Sequence, residues 1–172
     1  GRRSYPGYPI RLSPWLPDLG LGCGMDQILD STAGLFADTE GWAAMLRGCG
    51  KVFSAIEPGG RIGVIAAGSL AGALARYDGD IMVWAIKEDG LEVAYRPYVA
   101  GEQMADILFV VDDQGLGGLH NASEENLSGR LSARSKGGKM MLYFLIGRDD
   151  LEDAGYFEFL ETVGLSFLGP CR

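Results

Sequence analysis

Histidine is almost absent from this chain: His120 is the only one, so any chemistry that needs an imidazole base rests on that residue. Cysteine is scarce as well. Cys23, Cys49 and Cys171 form no even-numbered disulfide framework and no Cys-x-x-Cys metal spacing. No apolar run approaches the length of a membrane span, and there is no excess of basic residues. The formal net charge of −8 argues against a nucleic-acid backbone or an anionic membrane surface as the main partner. A basic protein or a cation remains compatible with it. Free thiols suit a reducing compartment, so the expected location is cytoplasmic, with room for a removed signal peptide because position 1 is Gly rather than Met. Asn121-Ala-Ser and Asn126-Leu-Ser match the glycosylation acceptor pattern, which matters only in a secreted protein.

What the chain does have is an ordinary globular balance, 47% hydrophobic and 22% charged, which excludes wholesale disorder. At 172 residues it is read as a single domain with a sizeable core. Its 27 glycines, roughly twice the average frequency, follow no period and imply many tight turns.

The organising stretch is Asp80 to Pro97. Strand-like runs Ile81–Ile86 and Leu91–Arg96 flank Asp89-Gly90, and Asp-Gly between apolar runs is a strong hairpin signal because Gly takes the positive φ such turns need. The first run is apolar on both faces, as a strand covered on both sides would be. Other strands are expected at Arg61–Ala67, Asp106–Val111 and Lys139–Ile146. The fold class that follows is α+β: a five-stranded mixed sheet built on a central hairpin (81–96), with helices packed on it. A helix between the last two strands suggests that they lie parallel through a right-handed crossover.

The expected helices are a short one over Gly24–Thr32, a long amphipathic one over Thr39–Ile56, a short one from Ser69 to Tyr77, an exposed polar one over Ser123–Arg134, and one over Leu151–Val163 capped by Asp149 or Asp150. Gly115 to His120 reads as a Gly-rich loop. Residues 1–21 carry Pro6, Pro9, Pro14 and Pro17, which forbid a regular helix and imply an extended N-terminal arm.

Four constellations could carry function. Leu19-Gly-Leu-Gly-Cys-Gly24 and Glu57-Pro-Gly-Gly-Arg-Ile-Gly-Val64 resemble the cofactor loop and a late strand of class I methyltransferases. Too few residues separate them for the intervening strand–helix units, and no acidic ribose-binding residue ends a second strand, so they are read as two Gly-rich turns. Cys23 precedes a helix start, where a thiol pKa falls, and His120 could serve it as base. Cys49 sits on an apolar stripe and reads as core. Asp112-Asp113 and Asp149-Asp150 would gather at one sheet edge if their strands were parallel, giving hard oxygens for a divalent cation such as Mg²⁺ or Ca²⁺; caps and turns explain the same residues. Tyr5, Tyr8 and Trp15 on the arm are interface-type anchors that could seat it on its own domain or on a second copy in a homodimer.

The reading preferred from sequence is a small acidic, soluble, non-enzymatic module that binds a protein or a small ligand. The alternative is a small hydrolase or transferase working through the Asp112/Asp113/Asp149/Asp150 edge or through Cys23 with His120.

Overall fold

A computed structural model describes residues 34–69, 73–137 and 140–165. These residues, from Leu35 on, belong to one compact unit. Five strands, β1 (Arg61–Ala66), β2 (Asp80–Lys87), β3 (Gly90–Pro97), β4 (Ile107–Val111) and β5 (Met140–Phe144), form one mixed sheet in the order β3-β2-β1-β4-β5. The α+β class is as the sequence predicts. The hairpin forms one wing of the sheet, and β1 runs through the middle, antiparallel to β2 and parallel to β4.

The alternation of strand side chains sorts the core into two layers. Ile62, Val64, Met82, Trp84, Ile107 and Phe109 face the helices, whereas Ile65, Ile81, Val83, Leu108 and Val110 form a second cluster on the opposite face. There Tyr77 and Met104 join them, and Tyr98 packs alongside. At Gly63, in the middle of β1, an added Cβ would lie 2.8 Å from Leu108 Cδ1 and 2.9 Å from Ile81 Cδ1, so the tips of those side chains would have to shift to admit it.

Over the first face lie α1 (Thr39–Gly48), α2 (Asp113–His120), α3 (Glu124–Lys136), α4 (Arg148–Asp153) and α5 (Tyr156–Thr162). Several depart from expectation. The helix predicted over 39–56 stops at Gly48 and continues as a 3₁₀ turn, Gly50–Phe53; two glycines around Cys49 remove the side-chain support that would carry the α-turn onward. The Gly115–His120 "loop" is the body of α2, capped by Asp112, whose carboxylate accepts from the Gly115 N–H at 2.8 Å, with Leu116 and Leu119 buried. The polar helix α3 is not an exposed rod, since Leu127 and Leu131 are buried. The helix expected over 151–163 is two helices, broken at Gly155 (φ 82°), and the first is capped by Gly147 rather than by an Asp side chain. Of the helix expected from Ser69 to Tyr77, residues 70–72 lie outside the described residues, and 3₁₀ turns at Ala67–Ser69 and Leu74–Arg76 flank them.

The largest correction concerns β4 and β5, which pair antiparallel, Val111 opposite Met140 and Ile107 opposite Phe144. A single crossover helix would carry the chain to the far end of the sheet. Two helices, α2 and α3, packed on each other, bring it back to the end it left.

A buried polar junction ties the N-terminal ends of β1 and β4 to α5. The Asp106 carboxylate accepts from the Tyr156 hydroxyl (2.7 Å), the Arg61 backbone N–H (3.0 Å) and Gln103 Nε2 (3.2 Å). Burial and the bond to Asp106 push the Tyr156 hydroxyl pKa far above its usual value.

At the other end of the hairpin, Tyr95 donates to Asp80 Oδ2 at 2.7 Å and Tyr77 donates to the Asp80 carbonyl at 2.6 Å. Burial first, and Asp80 second, push both hydroxyls from about 10 up to about 12. A tyrosine whose pKa is higher folded than unfolded contributes stability that is intact below the unfolded value and lost as pH rises through the folded one. The thermal midpoint is therefore expected to fall between about pH 10 and pH 12, and Tyr95→Phe to flatten that fall; an unchanged slope in the variant, measured by scanning calorimetry, would remove Tyr95 from this role.

Candidate functional site

The sequence-derived candidates do not converge. Asp112 and Asp113 follow the C-terminal end of β4, whereas Asp149 and Asp150 follow β5 after its antiparallel run. The two pairs therefore stand at opposite ends of strands about 13 Å long. Asp112 is occupied as the α2 cap and as the ion-pair partner of Arg134 at 3.1 Å. Among the described residues no group of three or more His, Cys, Asp or Glu side chains could hold a metal ion. The antiparallel direction of β5 thus separates the two aspartate pairs that a parallel pairing would have gathered at one edge.

His120 ends α2 and reaches back to α1, its Nε2 lying 2.9 Å from Asp38 Oδ2. Asp38 also caps α1 by accepting from the Gly41 N–H at 3.0 Å. That bond first, and His120 second, hold the Asp38 carboxyl below its usual pKa. Cys23, the proposed thiol partner of His120, lies outside the described residues, as do Tyr5, Tyr8, Trp15 and Cys171. Cys49 is buried, and burial pushes its thiol pKa up, so it is packing rather than a nucleophile.

A groove lies among the described residues between α1 and the hairpin, and sequence reasoning did not find it. Its main lobe, about 700 Å³, has one wall made by Thr39, Glu40, Ala43 and Arg47 of α1. The other wall is Lys87, Asp89 and the start of β3, from Gly90 to Val93. A second lobe of about 310 Å³ shares Lys87, Gly90 and Leu91 with the first and is lined by the apolar residues Phe53, Ile56, Pro58 and Ile86. The volumes fall in the range of ordinary small-molecule sites.

Local sequence explains each wall. Asp38 and His120 fix the start of α1. Trp42 seats it: the residue is fully buried, its Nε1 donates to the Leu35 carbonyl at 2.6 Å, and its ring lies 5.9 Å from Trp84 and 5.0 Å from His120. Residues 40, 43 and 47 then fall on the flank of α1 beside that buried stripe. On β3, Leu91 and Val93 pack against the helix-facing core while Glu92 between them is exposed.

Charges of both signs stand around an apolar floor. Lys87 pairs with Glu92 at 3.3 Å. Arg47 makes no ion pair among the described residues, and Glu40 and Asp89 supply anionic groups to the same lining.

Next to Val93 in the sheet stands Trp84. It is fully buried on β2, opposite Val93 in register, with Phe53 edge-on at 6.0 Å. Its indole N–H is a buried side-chain donor without a hydrogen-bond partner among the described residues.

No protein-family model and no curated protein matches the chain. Among solved structures it is similar to "UbiJ-SCP2 Ubiquinone synthesis protein", at 16% identity over 78% of this chain and 93% of that one, with a TM-score of 0.39. It is also similar to a "conserved hypothetical protein TT1886, possibly sterol carrier protein" from Thermus Thermophilus, at 16% identity over 77% and 90% of the two chains, with a TM-score of 0.33.

Proposed function

We propose that this domain is a non-enzymatic binding module whose ligand is a small lipid-like molecule, with an apolar body and a zwitterionic head, held in the groove between α1 and β3. The observation that carries this reading is the two-lobed groove itself, with its apolar floor of Ala43, Leu91 and Val93 opening into Phe53, Ile56 and Ile86. An apolar chain laid there leaves water at about 25 cal/mol per Å² buried. The head is matched by the rim, with Arg47 for its anionic group and Glu40 or Asp89 for its cationic one. A purely anionic ligand would meet two uncompensated carboxylates, and a purely cationic one would meet Arg47.

Dodecylphosphocholine below its micellar concentration is a suitable probe, with binding read by titration calorimetry. Leu91→Asp puts a carboxylate on the apolar floor and is expected to weaken binding tenfold or more, as a loss of about 1.4 kcal/mol would do. Arg47→Glu is expected to weaken it several-fold while leaving the thermal midpoint close to that of the parent, because Arg47 is exposed. Unchanged affinity in both variants would overturn the assignment of the groove.

A further inference from the structure

The two edges of the sheet are built differently. β3 carries the charged residues Glu92 and Arg96, ends at Pro97, and has α1 packed against it. Charges and proline are the usual devices that keep an edge strand from pairing with another chain. β5 is the opposite edge among the described residues, and it has none of them. Residues 140–146, Met-Met-Leu-Tyr-Phe-Leu-Ile, hold no charge, no proline and no glycine. That is the composition of a segment prone to strand-on-strand association when left open. Met141 is 49% exposed and Phe144 36%. Pairing with β4 uses one side of the strand, and alternate backbone N–H and C=O groups point to the other.

We infer that β5 is an interface between two copies of this chain, paired antiparallel about a two-fold axis at Leu142 so that the two sheets become continuous. The strand is complementary to itself. Met141 lies opposite Val110 of the second core face, and Phe144 lies opposite Ile107 of the helix face. Met141 and Tyr143 therefore share one face, and Met140, Leu142 and Phe144 share the other. A two-fold axis at Leu142 sets Met141 against the partner's Tyr143 and Phe144 against the partner's Met140. Each exposed apolar side chain then meets an apolar one on its own face, the pairing that stabilises sheets. The charges agree with this direction. Lys136 and Lys139 precede the strand in sequence, and Asp149 and Asp150 follow it, after Arg148. The Arg148 guanidinium lies over the Phe157 ring. Lys136, Asp149 and Asp150 are exposed and make no ion pair among the described residues. Antiparallel pairing brings the basic start of one strand beside the acidic end of the other, twice over, whereas parallel pairing sets like beside like. The groove lies at the β3 edge, away from β5, so this inference stands or falls independently of the ligand.

The test is sedimentation equilibrium of the full chain across a wide concentration range, with amide hydrogen exchange on the same samples. The mass is expected to climb from 18.4 kDa towards twice that value, with a midpoint on the order of 10 μM, as suits an interface of this small size. The amides of residues 140–144 are expected to exchange more slowly as concentration rises. Met141→Lys places a charge on the edge at an exposed position, so the dilute variant should keep the parent's thermal midpoint while association weakens tenfold or more. Lys136→Glu should weaken association several-fold, and adding Asp149→Lys to it should restore most of the loss, a recovery that only the antiparallel arrangement provides. A mass fixed at 18.4 kDa throughout would overturn the proposal. So would a dimer that is indifferent to Met141→Lys and leaves β5 exchange unchanged, since it would use another surface. Amides of β5 that are protected equally at every concentration in a monomeric chain would put a segment of the same chain on this edge, and would also overturn it.

Discussion

Gly155→Ala is expected to destabilise the protein by about 3 kcal/mol, the sum of left-handed backbone strain and overpacking, and to lower the thermal midpoint by roughly 10 °C. Gly155 has φ 82°, and an added Cβ would overlap the Ala55 carbonyl oxygen and come within 2.8 Å of its carbon. Neither partner can step aside. The Glu57 N–H donates to the Ala154 carbonyl at 2.9 Å, which locks the segment before β1 against the break between α4 and α5. That segment carries Ile56 and Pro58, the wall of the second lobe, so the variant is also expected to bind the phosphocholine probe less well. Gly48→Ala is the control: nothing lies within 4 Å of its added Cβ, and a gain of about half a kcal/mol is expected at this helical position. Urea denaturation of both variants decides the matter. A Gly155→Ala midpoint equal to the parent's would mean that the α4–α5 junction is not held as described.

Trp42→Ala is expected to cost about 3–5 kcal/mol, the usual range for deleting a buried aromatic. The residue is fully buried, joins α1 to the sheet through Trp84 at 5.9 Å, and donates to the Leu35 carbonyl at 2.6 Å. Its loss leaves α1, one wall of the groove, without its main contact. Binding of the probe should therefore be lost even at temperatures where calorimetry shows the variant still folded. Trp42→Phe keeps a ring against Trp84 and gives up the N–H bond, worth about 1 kcal/mol, so it should recover most of the stability and most of the affinity. Equal affinity in Trp42→Ala and the parent would separate α1 from the ligand.

Much of this architecture is legible from residue order. Asp89-Gly90 marks the hairpin, and Gly90 does take a positive φ, 147°. The run Ile81–Ile86, apolar throughout, is a strand buried on both faces. Where reading fails, glycine is the usual cause. The string Gly115-Leu-Gly-Gly-Leu looks like a loop by composition, yet Asp112 three positions before the Gly115 amide and the Leu116/Leu119 pair are helix signals that outweigh it. Gly48 and Gly155 end helices that the apolar period alone would have carried through. The direction of β5 depends on whether the α2–α3 region folds as one helix or two, and misreading α2 as a loop is what gathered the four aspartates at one edge.

The groove is illegible for a different reason. Its residues are separated by some forty positions and carry no motif. Glu40, Ala43 and Arg47 look like an ordinary solvated helix flank, and Leu91 and Val93 look like ordinary strand positions. Only the packing of α1 on β3 brings them together. Trp84 likewise reads as core from sequence, and that its indole N–H has no partner among the described residues is visible only in three dimensions.

The most direct test of the central claim is a backbone ¹⁵N–¹H titration of the full chain with dodecylphosphocholine below its micellar concentration. The predicted result is a saturable set of shifts centred on Ala43, Arg47, Leu91 and Val93, extending to Phe53 and Ile56. Shifts that grow linearly without saturation, or that gather instead on the exposed Met141 and Phe144 of the β5 edge, would contradict it.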